Sequence, residues 1–368
     1  MDIGVPKEIK NHEYRVGLLP ASVVELTRRG HRVFVETGAG TGAGFSDADY
    51  EAVGATLCPD ASAVFSASAL IVKVKEPQAG ERALLTPQHT LFTYLHLAPD
   101  LDQTEDLIAS GACCIAYETV TDTAGRLPLL APMSEVAGRM SIQAGAMCLE
   151  RSHGGKGVLL GGVPGVDRAQ VVVLGGGVVG RHACAMAIGL GARVTVFDQN
   201  LPVLRGLDEL FAGRLQTRYA TGAAIEESVQ SADLIVGSVL VPGASAPKLV
   251  TEAMVRRMQA GSVVVDVAID QGGCFETSRP TTHEAPHYLS HDVVHYCVAN
   301  MPGAVPQTAS AALNQATLPF VLAIAEAGPE VALRQDPHLR SGLAVYGGQL
   351  VSEAVGRAHG LTVSQPDF

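Results

Sequence analysis

The sequence predicts an α/β protein built from two doubly wound, parallel-sheet (Rossmann-like) domains joined by long helices. Short apolar runs alternate with helix-like segments, which is the βαβ rhythm of a parallel sheet covered by helices on both faces. The alternation comes in two series separated by a long helical segment. With 368 residues, of which 47% are hydrophobic, the chain is large enough for two packed cores.

The first series starts at the N-terminus. Its predicted strands are IGVPK, RVFVET, ALIVKVK, TLFTYLHL and CCIAYE, and its predicted helices include PASVVELTRRG and DADYEAVG. The second series starts near Gln170. Its predicted strands are QVVVLG, RVTVFD, DLIVGSVL, SVVVDVA and VHYCVAN, with helices HACAMAIGLG, LPVLRGLDELF and EAMVRRM between them. We therefore expect one parallel sheet in each series.

Two long apolar segments with helical periodicity connect the series. SEVAGRMSIQAGAMCLE precedes the second series, and TASAALNQATLPFVLAIAEAG follows it. We expect both segments to be helices that pass between the domains, so that the C-terminal residues return to the first domain. This predicts a discontinuous substrate domain at residues 1–129 plus 306–368 and a nucleotide-binding domain at residues 130–305.

Charge and hydropathy exclude two classes of partner. The net charge of −11, from 26 Lys and Arg against 37 Asp and Glu, opposes binding to a nucleic acid backbone. No apolar run approaches the about 18 uncharged residues that cross a bilayer, and no basic-then-apolar leader opens the chain. We therefore predict a cytoplasmic protein with no nucleic acid partner and no membrane partner.

The cysteine and histidine patterns predict no metal site. The 7 cysteines are an odd number spread through apolar segments without a CxxC pair, which favours buried free thiols. His283, His287, His291 and His295 recur every four residues, as metal ligands on one helix face would. Because Pro286 lies inside that run and the strand-like VVHYCVA follows it, we do not expect a continuous helix there.

A glycine-rich turn marks the predicted nucleotide site. Gly175, Gly177 and Gly180 match G-x-G-x-x-G between a predicted strand and a predicted helix, where glycine permits the tight turn and the approach of a pyrophosphate. Asp198 ends the next strand, in position to accept hydrogen bonds from an adenosine ribose. Because a carboxylate there would repel a 2′-phosphate, we predict NAD as the cofactor. The alternative is that Asp198 caps the helix beginning at Leu201.

Charged and titratable residues stand at the ends of predicted strands in the first series. Lys75 ends LIVKVK, His96 ends TLFTYLHL, and Arg15 closes the charged stretch KEIKNHEYR. Ligands of open α/β sheets bind outside the carboxyl ends of the strands. Two cations and an imidazole suit a small carboxylate substrate whose carbonyl oxygen gains or loses a proton. The structural alternatives are a surface charge for Arg15, a solvated strand end for Lys75 and a core histidine for His96.

The second series offers one further catalytic candidate, in VVVDVAIDQGGCFE. If this stretch is an extended strand, Asp266, Ala268 and Asp270 share one face, and Asp270 stands at the strand end before two glycines. We expect Asp270 to emerge near the nicotinamide and Asp266 to be structural.

Over nearly its whole length the chain resembles the L-alanine dehydrogenases. The resemblance is carried by the stretches VPKEIKNHEYRVGLLP, VKVKEP, LFTYLHLA, APMSEVAGRM, GGKGVLLGGVPGV, GSVLVPGASAPKLV, VDVAIDQGGCFETSRPTTH and CVANMPGAVPQTA. It implies reversible, NAD-dependent oxidative deamination of L-alanine to pyruvate and ammonia. It also implies a homohexamer whose two-domain subunits close over the cofactor.

The resemblance further implies roles for individual residues. Arg15 and Lys75 would bind the substrate carboxylate and carbonyl, while His96 would be the general acid and base. Asp270 would be the second catalytic residue. The residues implied to hold the cofactor are Ser134, Gly175, Gly177, Val178, Val179, Gly180, Asp198, Ala220, Val239, Leu240, Val267, Ala268, Ile269, Asp270, Arg279, Val298, Ala299, Asn300 and Met301.

Two positions depart from the family pattern, and other functions stay open. A basic residue near the ribose is Val203 here, and a serine beside the adenine ribose is Ala220. Both changes remove polar contacts and therefore bear on NAD affinity. The alternative functions are a dehydrogenase of another amino acid, a transhydrogenase-like NAD-binding subunit, and an NAD-binding regulator without catalytic activity. Activity of the isolated chain on pyruvate would separate the enzyme from the last two.

Overall fold

The computed structural model describes residues 1–239 and 246–366. The chain divides into two compact units, of which unit 1 comprises Met1–Met133 and the residues from Gly303 onward. Unit 2 is Ser134–Pro302. Each unit contains one sheet with helices around it, so the predicted α/β class with two doubly wound sheets is confirmed.

The described residues form strands and helices along the whole chain. The strands are β1 (Asp2–Val5), β2 (Arg32–Glu36), β3 (Thr56–Cys58), β4 (Leu70–Val72), β5 (Thr90–Thr93), β6 (Cys113–Ala116), β7 (Gln170–Leu174), β8 (Arg193–Asp198), β9 (Gln216–Tyr219), β10 (Leu234–Gly237), β11 (Val263–Asp266), β12 (His287–Ser290), β13 (Val293–Tyr296), β14 (Leu343–Tyr346) and β15 (Gln349–Leu350). The α-helices are α1 (Pro20–Arg28), α2 (Asp47–Glu51), α3 (Ala61–Ala67), α4 (Ala79–Arg82), α5 (Leu101–Ser110), α6 (Ala131–Cys148), α7 (Val178–Gly189), α8 (Leu201–Phe211), α9 (Gly222–Ser231), α10 (Glu252–Val255), α11 (Pro306–Ala327), α12 (Pro329–Gln335), α13 (Pro337–Arg340) and α14 (Glu353–His359).

The sheet of unit 1 has the strand order β3-β2-β1-β4-β5-β6-β14-β15. Strands β1 to β6 pair in parallel, and β14 and β15 add an antiparallel edge that the sequence prediction of a parallel sheet did not include. The parallel strands are short and apolar, and β4 is completely buried, as expected for a sheet covered on both faces. The strand order reverses between β1 and β4, which is where ligands bind in sheets of this kind.

Helix α11 packs in the core of unit 1 and corrects one expectation from the sequence. An 18-residue window of this 22-residue helix has a mean hydropathy of 1.3, so by length and composition the helix could cross a bilayer, contrary to the prediction that no such run exists. The hydrogen bonds of its polar residue Asn314, however, show that the helix lies in a protein interior. Asn314 is buried, accepts a hydrogen bond from the Leu19 amide at 2.7 Å and donates one to the Gly17 carbonyl at 3.1 Å. The apolar length of α11 therefore reflects packing against its own unit.

The sheet of unit 2 has the order β12-β13-β11-β10-β7-β8-β9. All pairs are parallel except β12 with β13, which form an antiparallel edge. The order reverses between β7 and β10, so that unit 2 repeats the winding of unit 1. The glycine turn follows β7 and therefore stands at the switch point.

The cysteines and histidines have structural surroundings. All seven cysteines are free and buried, which confirms the prediction for them. His287 lies in β12 and His295 in β13, so the four-residue histidine spacing does not lie on a helix. Within residues 1–239 and 246–366, no group of three or more His, Cys, Asp or Glu is arranged to hold a metal ion.

Candidate active site

The turn between β7 and α7 has a shape that only glycine allows. Gly175 has a φ of 99°, and a Cβ at that position would lie 3.0 Å from the Ser238 carbonyl oxygen. A Cβ at Gly180 would lie 1.8 Å from the Gly175 carbonyl oxygen. A Cβ at Gly177 would meet no atom within 4 Å, so this glycine faces open space at the start of α7. The turn is therefore closed toward the protein and open where a phosphate would approach a helix N-terminus.

Asp198 is tied to this turn by its own side chain. At the end of β8, its Oδ2 accepts a hydrogen bond from the Gly176 amide at 2.7 Å, and its Oδ1 accepts one from the Asn200 amide at 2.8 Å. Asn200 is the residue before α8, so the carboxylate stabilises the helix start and the glycine turn together. Each carboxylate oxygen keeps a further lone pair for an external donor. Capping and ribose binding are therefore compatible.

The two residues that depart from the family pattern lie close to Asp198. Val203 lines a cavity of about 510 Å³ together with Gly176, Arg181, Pro202 and other residues of the glycine turn and α8. The Ala220 amide donates a hydrogen bond to the Asp198 carbonyl at 3.0 Å. Val203 thus contributes an apolar wall to the cavity beside the glycine turn.

Most of the other predicted cofactor residues of unit 2 follow the carboxyl ends of neighbouring strands. They are Val178 and Val179 in the first turn of α7, Val239 after β10, Val267 to Asp270 after β11, and Val298 to Met301 after β13, whereas Ser134 lies in α6 and Arg279 in the loop before β12. Leu240 lies outside the described residues. Because the carboxyl ends of parallel strands meet at one edge of a sheet, β7, β8, β10, β11 and β13 place these segments at a common edge. The residues present fit a dinucleotide.

The stretch that carries Asp270 is not an extended strand, so that prediction was wrong. Strand β11 ends at Asp266, and Val267–Gln271 form a 3-10 helix. Asp266 is fully buried, and its Oδ2 accepts a hydrogen bond from the Cys274 amide at 3.0 Å, which folds the chain back over the strand end. Burial raises the pKa of the Asp266 carboxyl, opposed by a hydrogen bond from the Ser278 hydroxyl. Asp270 itself is exposed.

The environment of Arg15 in unit 1 rules out the alternative that Arg15 is a charge on the protein surface. Arg15 is only 2% exposed, and its Nε donates to Glu13 Oε1 at 2.7 Å while Nη2 bonds to Glu13 Oε2. Nη1 contacts the Met133 sulfur at 3.0 Å. Burial lowers the pKa of the guanidinium, but the bonds to Glu13 outweigh burial and raise the pKa overall. Glu13 therefore fixes the orientation of a guanidinium that stays charged.

Lys75 lies three residues beyond β4 and is half-buried. Its carbonyl accepts a hydrogen bond from Thr93 Oγ1 at 2.9 Å, and its amide donates to Glu8 Oε1 at 3.3 Å. Strand β5 and the loop after β1 thus hold the Lys75 backbone from two sides.

His96 lies three residues beyond β5, and its side chain is 45% exposed, so it is not a core histidine. Its ring stacks on Tyr94 with the planes at 5° and the centroids 5.8 Å apart. Tyr94 is buried, donates a hydrogen bond to the Leu129 carbonyl, and feels the charge of Arg15, which opposes the rise of its pKa caused by burial. Tyr94 therefore links His96 to the surroundings of Arg15.

The sequence did not lead us to predict the buried ion pairs that Lys73 forms with Glu8 and Glu81 in unit 1. Lys73 is fully buried, with its Nζ 3.1 Å from Glu8 Oε2 and 2.7 Å from Glu81 Oε1. The other Glu8 oxygen accepts a hydrogen bond from the Val74 amide at 2.7 Å. A lysine in the middle of the apolar run LIVKVK was the available signal, because a buried cation needs carboxylate partners. Glu118, which bonds to the His96 backbone, was also missed.

Comparisons with known proteins agree over the full chain. Family models described as "Alanine dehydrogenase/PNT", N-terminal and C-terminal domains, match residues 4–137 and 141–353. The alanine dehydrogenase of Halomonas elongata is 59% identical over 361 residues, covering 98% of this chain and 97% of its own. That of Mycobacterium tuberculosis strain H37Rv is 51% identical over 366 residues, covering 100% and 99%.

Solved structures show the same likeness. An L-alanine dehydrogenase structure matches with a TM-score of 0.95 at 53% identity, covering 98% of this chain and 99% of its own. A transhydrogenase structure from Sinorhizobium meliloti matches with a TM-score of 0.83 at 24% identity, covering 96% and 100%, a likeness that bears on the fold alone.

The comparisons identify the chain as an enzyme, an amino acid dehydrogenase of a family that implies a nicotinamide cofactor. The chain belongs to the alanine dehydrogenase/PNT family. Its function is that of the alanine dehydrogenases of this family.

Proposed function

We propose that the chain catalyses the reversible, NAD-dependent oxidative deamination of L-alanine to pyruvate and ammonia, with hydride passing between the substrate Cα and nicotinamide C4. The observation that carries the proposal is the set of Arg15, Lys75 and His96 in unit 1. Lys75 and His96 follow the neighbouring strands β4 and β5, and Arg15 lies in the loop after β1, the strand beside β4. Two cations and one exposed imidazole at such an edge suit a 2-oxo acid, which has a carboxylate, a carbonyl and a proton to exchange.

Arg15, Lys75 and His96 of unit 1 have separate roles toward the substrate. Arg15, oriented by Glu13, binds the carboxylate, and Lys75 polarises the carbonyl so that ammonia can add to its carbon. His96 then gives a proton to the oxygen of the resulting carbinolamine, which leaves as water and produces an iminium. In the oxidative direction, His96 takes the proton back. Asp270, which belongs to unit 2, orients ammonia or water.

The residues of unit 2 hold the cofactor. The glycine turn of Gly175, Gly177 and Gly180 receives the pyrophosphate, and Asp198 accepts hydrogen bonds from the adenosine ribose. When bound, the nicotinamide supplies or accepts the hydride that interconverts iminium and amine.

Asp198→Ala is expected to raise the KM for NAD about tenfold, because one charged hydrogen bond to the ribose is lost. The same change should narrow the preference for NAD over NADP, since the charge that repels a 2′-phosphate disappears with it. Steady-state rates with both cofactors measure this. The control is Asp208→Ala, which removes an exposed carboxylate from α8 and should leave both KM values unchanged. Equal use of NAD and NADP by the wild-type enzyme would contradict the proposal.

Lys75→Ala is expected to lower kcat/KM for pyruvate about 10- to 100-fold, as the loss of one charged hydrogen bond to the carbonyl predicts. NADH affinity should stay unchanged, because Lys75 belongs to unit 1. NADH fluorescence titration, together with rates at varied pyruvate, separates the two effects. Lys7→Ala removes an exposed cation near the same loop and serves as control. A large loss of NADH affinity in Lys75→Ala would count against the assignment.

The substrate is tested by the oxidation of NADH in ammonium with pyruvate, glyoxylate and larger 2-oxo acids. The proposal expects pyruvate to have the highest kcat/KM. A larger 2-oxo acid turned over faster than pyruvate would instead assign another amino acid, and absence of turnover with every 2-oxo acid would refute the enzyme.

We also propose that the chain assembles as a homohexamer in the cytoplasm. Family membership supports this, as do the exposed apolar side chains of Leu159, Val163 and Val166, which suit association with another subunit. Sedimentation velocity at several protein concentrations tests the assembly, and a monomer throughout would contradict it.

A further inference from the structure

The backbone around His96 is held by side chains instead of by strand pairing. Strand β5 ends at Thr93, three residues before His96. Beyond it, Gln103 Nε2 donates a hydrogen bond to the Leu95 carbonyl at 2.7 Å, and His359 Nε2 lies 2.9 Å from the Leu97 carbonyl. These contacts hold the carbonyls on both sides of His96.

Glu118 holds the amides of the same segment. It lies in the 3-10 helix Tyr117–Thr119 directly after β6, the neighbour of β5. Its Oε1 accepts a hydrogen bond from the His96 amide at 2.6 Å, and its Oε2 accepts one from the Leu95 amide at 3.2 Å. The Glu118 side chain is only 16% exposed. A largely buried carboxylate therefore binds two successive amides, an arrangement in which backbone N–H groups form an anion site.

The conformation of His96 needs such support. Its φ is 50°, in the left-handed region that is unfavourable for a non-glycine residue and persists only where the surroundings impose it. The ring is fixed separately by its stack on Tyr94. Glu118 Oε1 is 3.9 Å from His96 Nδ1, which is too far for a hydrogen bond. Glu118 thus acts on His96 mainly through the backbone.

We propose that Glu118 is a positioning residue for His96, holding its backbone in the left-handed conformation that presents the imidazole to the substrate. The inference rests on the proposed acid–base role of His96. A glutamate is suited to this task because its two oxygens satisfy both amides at once, and because its place after β6 puts it beside the end of β5.

The test compares Glu118→Ala and Glu118→Gln with the wild-type enzyme. Glu118→Ala removes both acceptors, so kcat should fall about 10- to 100-fold, the loss expected when a catalytic group is displaced by about 1 Å. The KM for pyruvate should change little, since Arg15 and Lys75 stay in place. Glu118→Gln keeps an oxygen at the position of Oε1, which lies 2.6 Å from the His96 amide nitrogen and 3.3 Å from that of Leu95, and should recover part of kcat. The control is Glu150→Ala. In the wild-type protein the exposed Glu150 carboxylate lies 3.7 Å from His153 Nδ1, and its removal should leave kcat unchanged.

Crystal structures of the same variants supply a measurement independent of activity. Residue 96 should leave the left-handed region in Glu118→Ala and keep it in Glu118→Gln. Wild-type kcat in Glu118→Ala, an unchanged φ at residue 96, or a Glu118→Gln variant as slow as Glu118→Ala would each overturn the proposal. If Glu118→Ala does not fold, the kcat of Glu118→Gln and the φ of residue 96 in that variant still test the proposal. Failure of the wild-type enzyme to act on pyruvate would reject the proposed function, while the crystallographic comparison would still judge the positioning.

Discussion

His96→Gln is expected to lower kcat about 100- to 10,000-fold, the contribution of a positioned acid and base, without impairing folding or NADH binding. The His96 side chain is 45% exposed and stacks on one face of Tyr94, so glutamine can replace it without leaving a cavity. Initial rates in both directions measure the effect. NADH fluorescence reports binding, and it has no tryptophan background because the chain contains 0 Trp.

The matched control for this variant is His291→Gln. His291 also has a left-handed backbone, with a φ of 52°, and its Nε2 lies 2.8 Å from Glu252 Oε1. It lies in the turn between β12 and β13 of unit 2, whereas the proposed substrate residues belong to unit 1. We expect wild-type rates from it. If His96→Gln kept its turnover and only melted at a lower temperature, His96 would be structural and the catalytic assignment would fail.

Lys73→Met is expected to lower the free energy of unfolding by about 3–5 kcal/mol at pH 7, the usual effect of breaking a buried ion pair. The side chains of its partners Glu8 and Glu81 are 2% and 3% exposed, so their charges would stay in the interior without a cation. Urea denaturation followed by circular dichroism measures the change. Arg29→Met is the control: its pair with Glu326 spans 2.7 Å, but the two side chains are 46% and 49% exposed, so we expect about 1 kcal/mol or less.

The loss in Lys73→Met should depend on pH with a defined sign. Burial raises the pKa of Glu8 above its ordinary value of 4.5, and the Lys73 charge opposes that rise. A carboxyl with a raised folded-state pKa stabilises the fold below its unfolded pKa, and this stability is lost as the pH rises through the folded pKa. Removal of Lys73 raises the pKa further, so the loss should be largest near pH 7 and shrink toward pH 5. An equal loss at both pH values would contradict this account.

The limits of the sequence prediction are clearest at Asp270. The pattern VVVDVAID has the period of a strand, and a strand does run as far as Asp266. The chain then turns because Asp266 binds the amide of Cys274, eight residues later, and because Gly272 and Gly273 take φ values of 87° and 74°. The Lys248 ammonium also donates to the Gly272 carbonyl at 2.6 Å. Strand periodicity carries no information about these later partners.

The sequence by itself determined the α/β class, the two series of strands, the glycine turn, the place of Asp198 at the end of β8, and that Lys75 and His96 closely follow β4 and β5. These features are local, because backbone sterics and side-chain periodicity act over a few neighbouring residues. Only the tertiary structure decided that Glu8 and Glu81 neutralise Lys73 and that Glu118 holds the backbone of His96. Such pairs join residues that become neighbours only when β1, β4, β5 and β6 align in the sheet, and a carboxylate in the sequence does not indicate which strand end it will meet.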